Sequence, residues 1–191
     1  RTEEETICLP VGVRDIAVKG RQVLHNGRPL RLRGVNRHDS DPVTGFTISP
    51  EQAMRGLVLM KEHNVNAIRT SHYPNAPWFA RLCDRYGFYL IDEADMECHG
   101  VTEVFGGGDE ISYGLLAQDP AFEGLILDRV RRCVIRDKNS PSVLIWSLGN
   151  ESGYGPAFEK AGRWVREYDP TRLVHFEGAW RQTGGHVNDD S

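Results

Sequence analysis

The sequence predicts an α/β protein: the N-terminal portion of a (β/α)8 TIM barrel, about five β/α units, preceded by a β-hairpin. Three observations lead there. Strand-like and helix-like segments alternate about five times along the chain, the pattern of parallel strands joined by helical crossovers. Polar residues gather at the end of each strand in turn (His38, His72, Glu93 with Glu97, Glu151, Glu177), as on a barrel rim and unlike the single switch point of an open sheet. No Gly-x-Gly-x-x-Gly follows the first strand and no phosphate-binding loop occurs, which argues against a nucleotide-binding doubly wound sheet. A complete barrel takes about 250 residues. The 191 residues here begin without an initiator Met, so a piece of a longer chain with open strand edges is expected.

The elements follow in order. Residues 1–18 read as the tail of a preceding element, acidic at first and then β-prone at Val11-Gly12-Val13 and Ile16-Ala17-Val18. Residues 22–35 read as a hairpin, because Val23-Leu24 and Leu30-Leu32 flank Asn26-Gly27, the pair favoured in a type I′ turn. Its second arm is expected to run on into Gly34–His38. Ser49-Pro50-Glu51-Gln52 is a helix start with Ser as N-cap, Pro at the first position and Gln completing a capping box. Ala53, Met54, Leu57, Val58 and the Lys61 stem then mark the inward face. Val65–Thr70 is the next strand, Pro77–Tyr86 a helix stopped by Gly87, and Phe88–Ile91 a buried strand. A glycine-bearing loop is expected over Val101–Gln118, and loops of that length are usually functional. Asp119-Pro120 opens a third helix, Pro156 a fourth, and Leu173–Phe176 is a fifth strand.

The composition is that of a globular domain, 39% hydrophobic and 26% charged, and the net charge of -4 gives no case for nucleic acid or an anionic membrane as partner. No apolar run of membrane-spanning length and no secretory leader pattern is present. The four cysteines form no Cys-x-x-Cys pair, which suits a reduced, cytoplasmic protein.

Ser140–Ser152 is the focal stretch. Val143–Leu148 is a mostly apolar run of strand length between Pro141 and Gly149, so both faces are expected to be buried. It ends at once in Gly149-Asn150-Glu151, delivering a carboxylate to the carboxyl-end rim where barrel chemistry sits. On these residues alone, Asn150 and Glu151 read equally well as caps of the following helix. Glu97 and His99 alternate along an extended segment and can point the same way, although Glu-x-His alone is a weak metal signal. Trp78, Trp146 and Trp164 lie on apolar faces and read as core, while Trp180, just past Glu177, is a candidate stacking platform for a ligand ring.

Gly34-Val35-Asn36-Arg37-His38, Arg69-Thr70-Ser71-His72-Tyr73-Pro74, Cys83-Asp84-Arg85-Tyr86-Gly87, Asp92-Glu93-Ala94 and Trp146–Ser152 together resemble the catalytic barrel of glycoside hydrolase family 2. The resemblance covers roughly residues 12–178. Glu97-Cys98-His99-Gly100 and Asn150-Glu151-Ser152 are similar to its β-galactosidase branch rather than to β-glucuronidases or β-mannosidases. One departure is visible: His38 is followed by Asp39-Ser40-Asp41-Pro42 instead of a histidine-rich run.

The resemblance implies a retaining glycosidase acting on terminal β-galactosides, with paired carboxyl groups about 5 to 5.5 Å apart. It makes Glu151 the acid/base and has Asn150 bond the sugar 2-hydroxyl. His38 and His72 would contact the galactosyl ring, whereas an isolated His is more often a satisfied core or rim residue. Glu97, His99 and Glu151 would hold Mg²⁺, with Mn²⁺ also suited to two carboxylates and an imidazole. Glu93 is implied to be structural, and the nucleophile is implied to lie beyond residue 191. The chain alone is therefore expected to be inactive without a complementing piece. Residues 1–18 become the end of an immunoglobulin-like domain and its linker, with the barrel over 19–191, and the full-length protein is expected to be a homo-oligomer.

Overall fold

The computed structural model describes residues 4–8, 11–105 and 114–179. Strands β1 (Ile16–Lys19), β2 (Gln22–His25) and β3 (Arg28–Pro29) form a small antiparallel sheet. Asn26 and Gly27 take φ of 50° and 75° between β2 and β3, both positive as a type I′ turn demands. The second arm is shorter than expected and does not run on. The Asn66 side chain takes the Arg31 carbonyl and the Arg33 N–H, which turns the chain out of the hairpin and into the main sheet. β1 straddles the boundary expected at residue 18, and Val11–Val13 forms no strand.

The main sheet is parallel, with its strands in chain order: β4 (Gly34–Arg37), β5 (Ala67–Thr70), β6 (Tyr89–Glu93), β7 (Val143–Ser147) and β8 (Leu173–His175). Sequential order without reversal is that of a barrel wall. Helix α1 (Pro50–Glu62) joins β4 to β5 and starts with the complete capping box of Ser49 and Gln52. It buries Ala53 and Leu57. Lys61 lays its ammonium 4.1 Å from the Phe88 ring centre, whereas Val58, expected inward, is exposed. Helix α2 (Pro77–Tyr86) buries Phe79, Ala80 and Cys83 and ends at Gly87, whose φ of 69° is left-handed.

Among the described residues, the expected long loop between β6 and β7 carries two short helices, α3 (Gly100–Phe105) and α4 (Gly114–Gln118), before α5 (Pro120–Asp137). Helix signals this short lack the repeated apolar stripe by which longer helices are read. Asp119 caps α5 by accepting from the Ala121 N–H at 2.9 Å. Ile126, Val130, Cys133 and Val134 pack α5 inward. Helix α6 (Pro156–Tyr168) packs through Phe158, Ala161 and Val165.

β7 is buried on both faces as expected, with Trp146 1% exposed and its indole N–H donated to Asp169 at 2.8 Å. Neighbours on a strand point to opposite faces, and β6 uses this. Asp92 faces α5, accepting from the Cys133 thiol at 3.6 Å, while Glu93 faces the other way, toward Arg69 and Ser147. Burial first, and then the nearby Asp137 carboxylate, push the Asp92 carboxyl well above its ordinary range.

Candidate active site

The site occupies the carboxyl ends of β4 to β7. At the end of β4 the Arg37 guanidinium lies 4.2 Å from the Phe79 ring centre and bonds Asp39 and Asn75, both at 2.6 Å. The next residue, His38, is exposed, and its ring meets that of His72 edge-on at 5.5 Å between centres. His72 follows a cis Ser71–His72 peptide and gives Nδ1 to Glu93 at 2.6 Å.

Glu93 is fully buried and organises the rim. Besides His72 it accepts from Arg69 Nε at 2.7 Å and Ser147 Oγ at 2.5 Å, and its own N–H donates to Thr70 at 2.9 Å. Arg69 then passes the network on, donating Nη2 to the Asn150 carboxamide oxygen at 2.9 Å. The Asn150 NH₂ donates to Glu97 Oε2 at 2.6 Å, and Glu97 Oε1 accepts the His99 N–H at 3.0 Å. His99 Nδ1 finally shares a short hydrogen bond with Glu151. One unbroken path of polar contacts thus joins the histidine pair to Glu151.

The chain turns sharply to place Glu151. Asn150 forms a parallel bridge with Glu97, and its N–H donates to Met96 O at 2.8 Å. Gly149 must be glycine: its φ is 155°, and a Cβ there would lie 2.8 Å from both Met96 Cβ and Met96 O. Glu151 itself adopts φ of 41°, an uncommon left-handed turn held by its N–H bonding to Glu177 at 3.2 Å. The following helix starts only at Pro156 with Gly155 as N-cap, so Asn150 and Glu151 are not its caps.

Glu97, His99 and Glu151 each offer a donor atom within 4.8 Å of the others. Two carboxylates and one imidazole converging in this way are donor types that a hard divalent cation such as Mg²⁺ or Mn²⁺ accepts, so the chemistry of the donor set fits. The bond to Glu151 raises the His99 pKa above its ordinary value. Burial beside Arg69 lowers that of His175. Trp180 lies outside the described residues.

The model of the glycosyl hydrolases family 2 TIM barrel domain matches residues 16–189. The chain belongs to glycosyl hydrolase family 2. It is 46% identical to a β-galactosidase of Actinobacillus pleuropneumoniae, over 98% of this chain and 21% of that protein. A β-galactosidase of Staphylococcus xylosus is 41% identical over 93% of this chain and 18% of its own length. The chain thus spans about a fifth of the curated relatives it matches. Among solved structures, Faecalibacterium prausnitzii β-glucuronidase superposes with a TM-score of 0.73 at 32% identity, covering 87% of this chain and 28% of that one. A family 2 β-galacturonidase from Eisenbergiella tayi bound to galacturonate gives 0.72 at 26%, over 87% and 28%.

The structure brings the residues singled out in the sequence into two groups, His38 with His72, and Asn150, Glu97, His99 and Glu151 in one cluster. Sequence reasoning gave no role to Arg69, the link between the two groups. A signal existed: a charged residue inside the largely buried strand Ala67–Thr70 must be paired. Glu177 was seen at a strand end but not as the anchor of the Glu151 turn.

Proposed function

We propose that this chain carries the acid/base half of a retaining β-galactosidase. The observation that supports it is the placement of Glu151 at the mouth of β7, beside Glu97 and His99 and on the same rim as the His38–His72 pair. The closer sequence match to β-galactosidases (46%) than to the solved β-glucuronidase (32%) favours the galactoside over the glucuronide.

In this reading Glu151 protonates the glycosidic oxygen as the leaving group departs, then takes a proton from the water that releases the sugar. Asn150 has one N–H and one carbonyl lone pair left after its bonds to Arg69 and Glu97, enough for a sugar 2-hydroxyl. Because Glu93 holds His72 by Nδ1, its Nε2 remains for the galactosyl ring. Glu97, His99 and Glu151 hold Mg²⁺ or Mn²⁺, which when bound supplies a fixed positive charge next to the acid/base. The nucleophile comes from chain outside these residues, and full-length subunits self-associate.

The test is Glu151→Gln in the full-length enzyme. Turnover of a β-galactoside with a poor leaving group should fall about 10² to 10⁴-fold. An activated aryl galactoside, needing little protonation, should lose far less in the bond-breaking step. Equal losses for both leaving groups refute the acid assignment, and turnover of an aryl β-glucuronide in preference to the galactoside refutes the substrate. The 191-residue chain alone should be inactive until the rest of the protein is supplied.

A further inference from the structure

We infer that Glu103 is a positioning residue for His99, the outer carboxylate of the cation site; this rests on the metal reading above. A histidine that ligates through Nδ1 must keep its proton on Nε2, and ligating histidines characteristically donate that second N–H to a carboxylate, carbonyl or water. Here Nδ1 is the nitrogen facing Glu151, and Nε2 faces Glu103 Oε1 at 4.0 Å.

The approach is set by the fold. His99 immediately precedes α3, and Glu103 lies four residues on, one helical turn later. The first turn closes around His99, whose carbonyl accepts from the Thr102 N–H at 3.0 Å and the Thr102 hydroxyl at 2.8 Å. Its N–H is tied to Glu97 at 3.0 Å. With the His99 backbone fixed at both ends, its ring lies between Glu151 on one side and Glu103 on the other. A 4.0 Å separation is longer than a hydrogen bond, so a small rotation or one bridging water completes the contact when the cation orients the ring. Glu103 is 78% exposed, which places its effect at the low end of the 10- to 100-fold range known for such outer partners, about 10-fold in metal affinity.

The experiment titrates Mn²⁺ into chelator-stripped full-length enzyme and follows free Mn²⁺ by electron paramagnetic resonance. Glu97→Gln should weaken binding well beyond the effect of Glu103→Gln, which should raise the Mn²⁺ Kd about 10-fold, and Glu103→Asp should recover part of it. Glu103→Gln should have no further effect in a His99→Ala background, because its action runs through that ring. An unchanged Kd in Glu103→Gln overturns the inference while leaving the metal site standing. So does an undiminished effect in the His99→Ala background, which would mean direct ligation or a general field. Wild-type enzyme that binds no Mn²⁺ overturns the metal reading and this inference with it.

Discussion

Replacing Glu93 by Gln tests whether the rim is organised from below. The carboxylate is fully buried and accepts from Arg69, His72 and Ser147. Gln keeps the shape, removes the charge, and turns an accepting atom into a donor aimed at Arg69 or His72. Removing one member of a buried ion pair costs about 3 to 5 kcal/mol. Arg69 is 18% exposed and keeps the Asn150 oxygen, so water and that amide soften the loss and the lower figure, about 3 kcal/mol, is expected. The same step frees both His72 and Arg69, and through Arg69 the Asn150 amide, so kcat/KM should fall about 100-fold, some 2.7 kcal/mol of transition-state stabilisation. The assay is urea denaturation of the full-length enzyme by tryptophan fluorescence, paired with aryl galactoside kinetics. A stability loss under about 0.5 kcal/mol together with near-wild-type kcat/KM refutes the reasoning, since a group bonded to three others and buried among them must be felt.

Further outcomes are expected. Gly149→Ala forces a side chain into Met96 at a φ of 155° and should destabilise by at least about 1 to 3 kcal/mol, read as a lower Tm, with weaker Mn²⁺ binding because Asn150 and Glu97 move with it; a normal Tm counts against the close approach. Asp92→Asn should alter the pH dependence of stability. The folded Asp92 pKa is raised, so its contribution is fully present below the unfolded value of about 3.9 and is lost as pH climbs through the raised folded value. The Tm of the Asn variant should therefore gain on wild type as pH rises from about 4, and a difference that stays flat with pH refutes it. Ser49→Ala removes the capping box of α1 and should cost about 1 kcal/mol in a urea titration.

Much of this fold was legible because its signals are local. Ser49 with Gln52, Pro77 with Gly87, and Asn26-Gly27 each fix a terminus or turn through bonds within a few residues, and each stands where the sequence puts it. The dry strand Val143–Ser147 was legible from its apolar run. The candidate site residues came from the family 2 resemblance of motifs that stand at or near strand ends, where a barrel rim converges. What escaped depends on distance in the chain. The Arg69–Glu93 pair spans 24 residues and the Arg69–Asn150 bond 81, and neither partner marks the other. The premature end of the hairpin at Pro29 depends on Asn66, 33 residues beyond Arg33. Helix α3 was hidden in a glycine-bearing loop for want of length to show a period.

The backbone bridge between Glu97 and Asn150, closed by the flat side of Gly149 on Met96, couples two loops that leave different strands. Any change that reshapes one of these loops inherits that coupling: widening one drags the other. A one-residue insertion ahead of Glu97 would shift its pairing with Asn150 by one position and turn its carboxylate to the opposite side, away from His99 and Glu151. The bend at residues 43–46 after β4, where Val43 and Phe46 are exposed, lies outside that bridge and is not bound by its register.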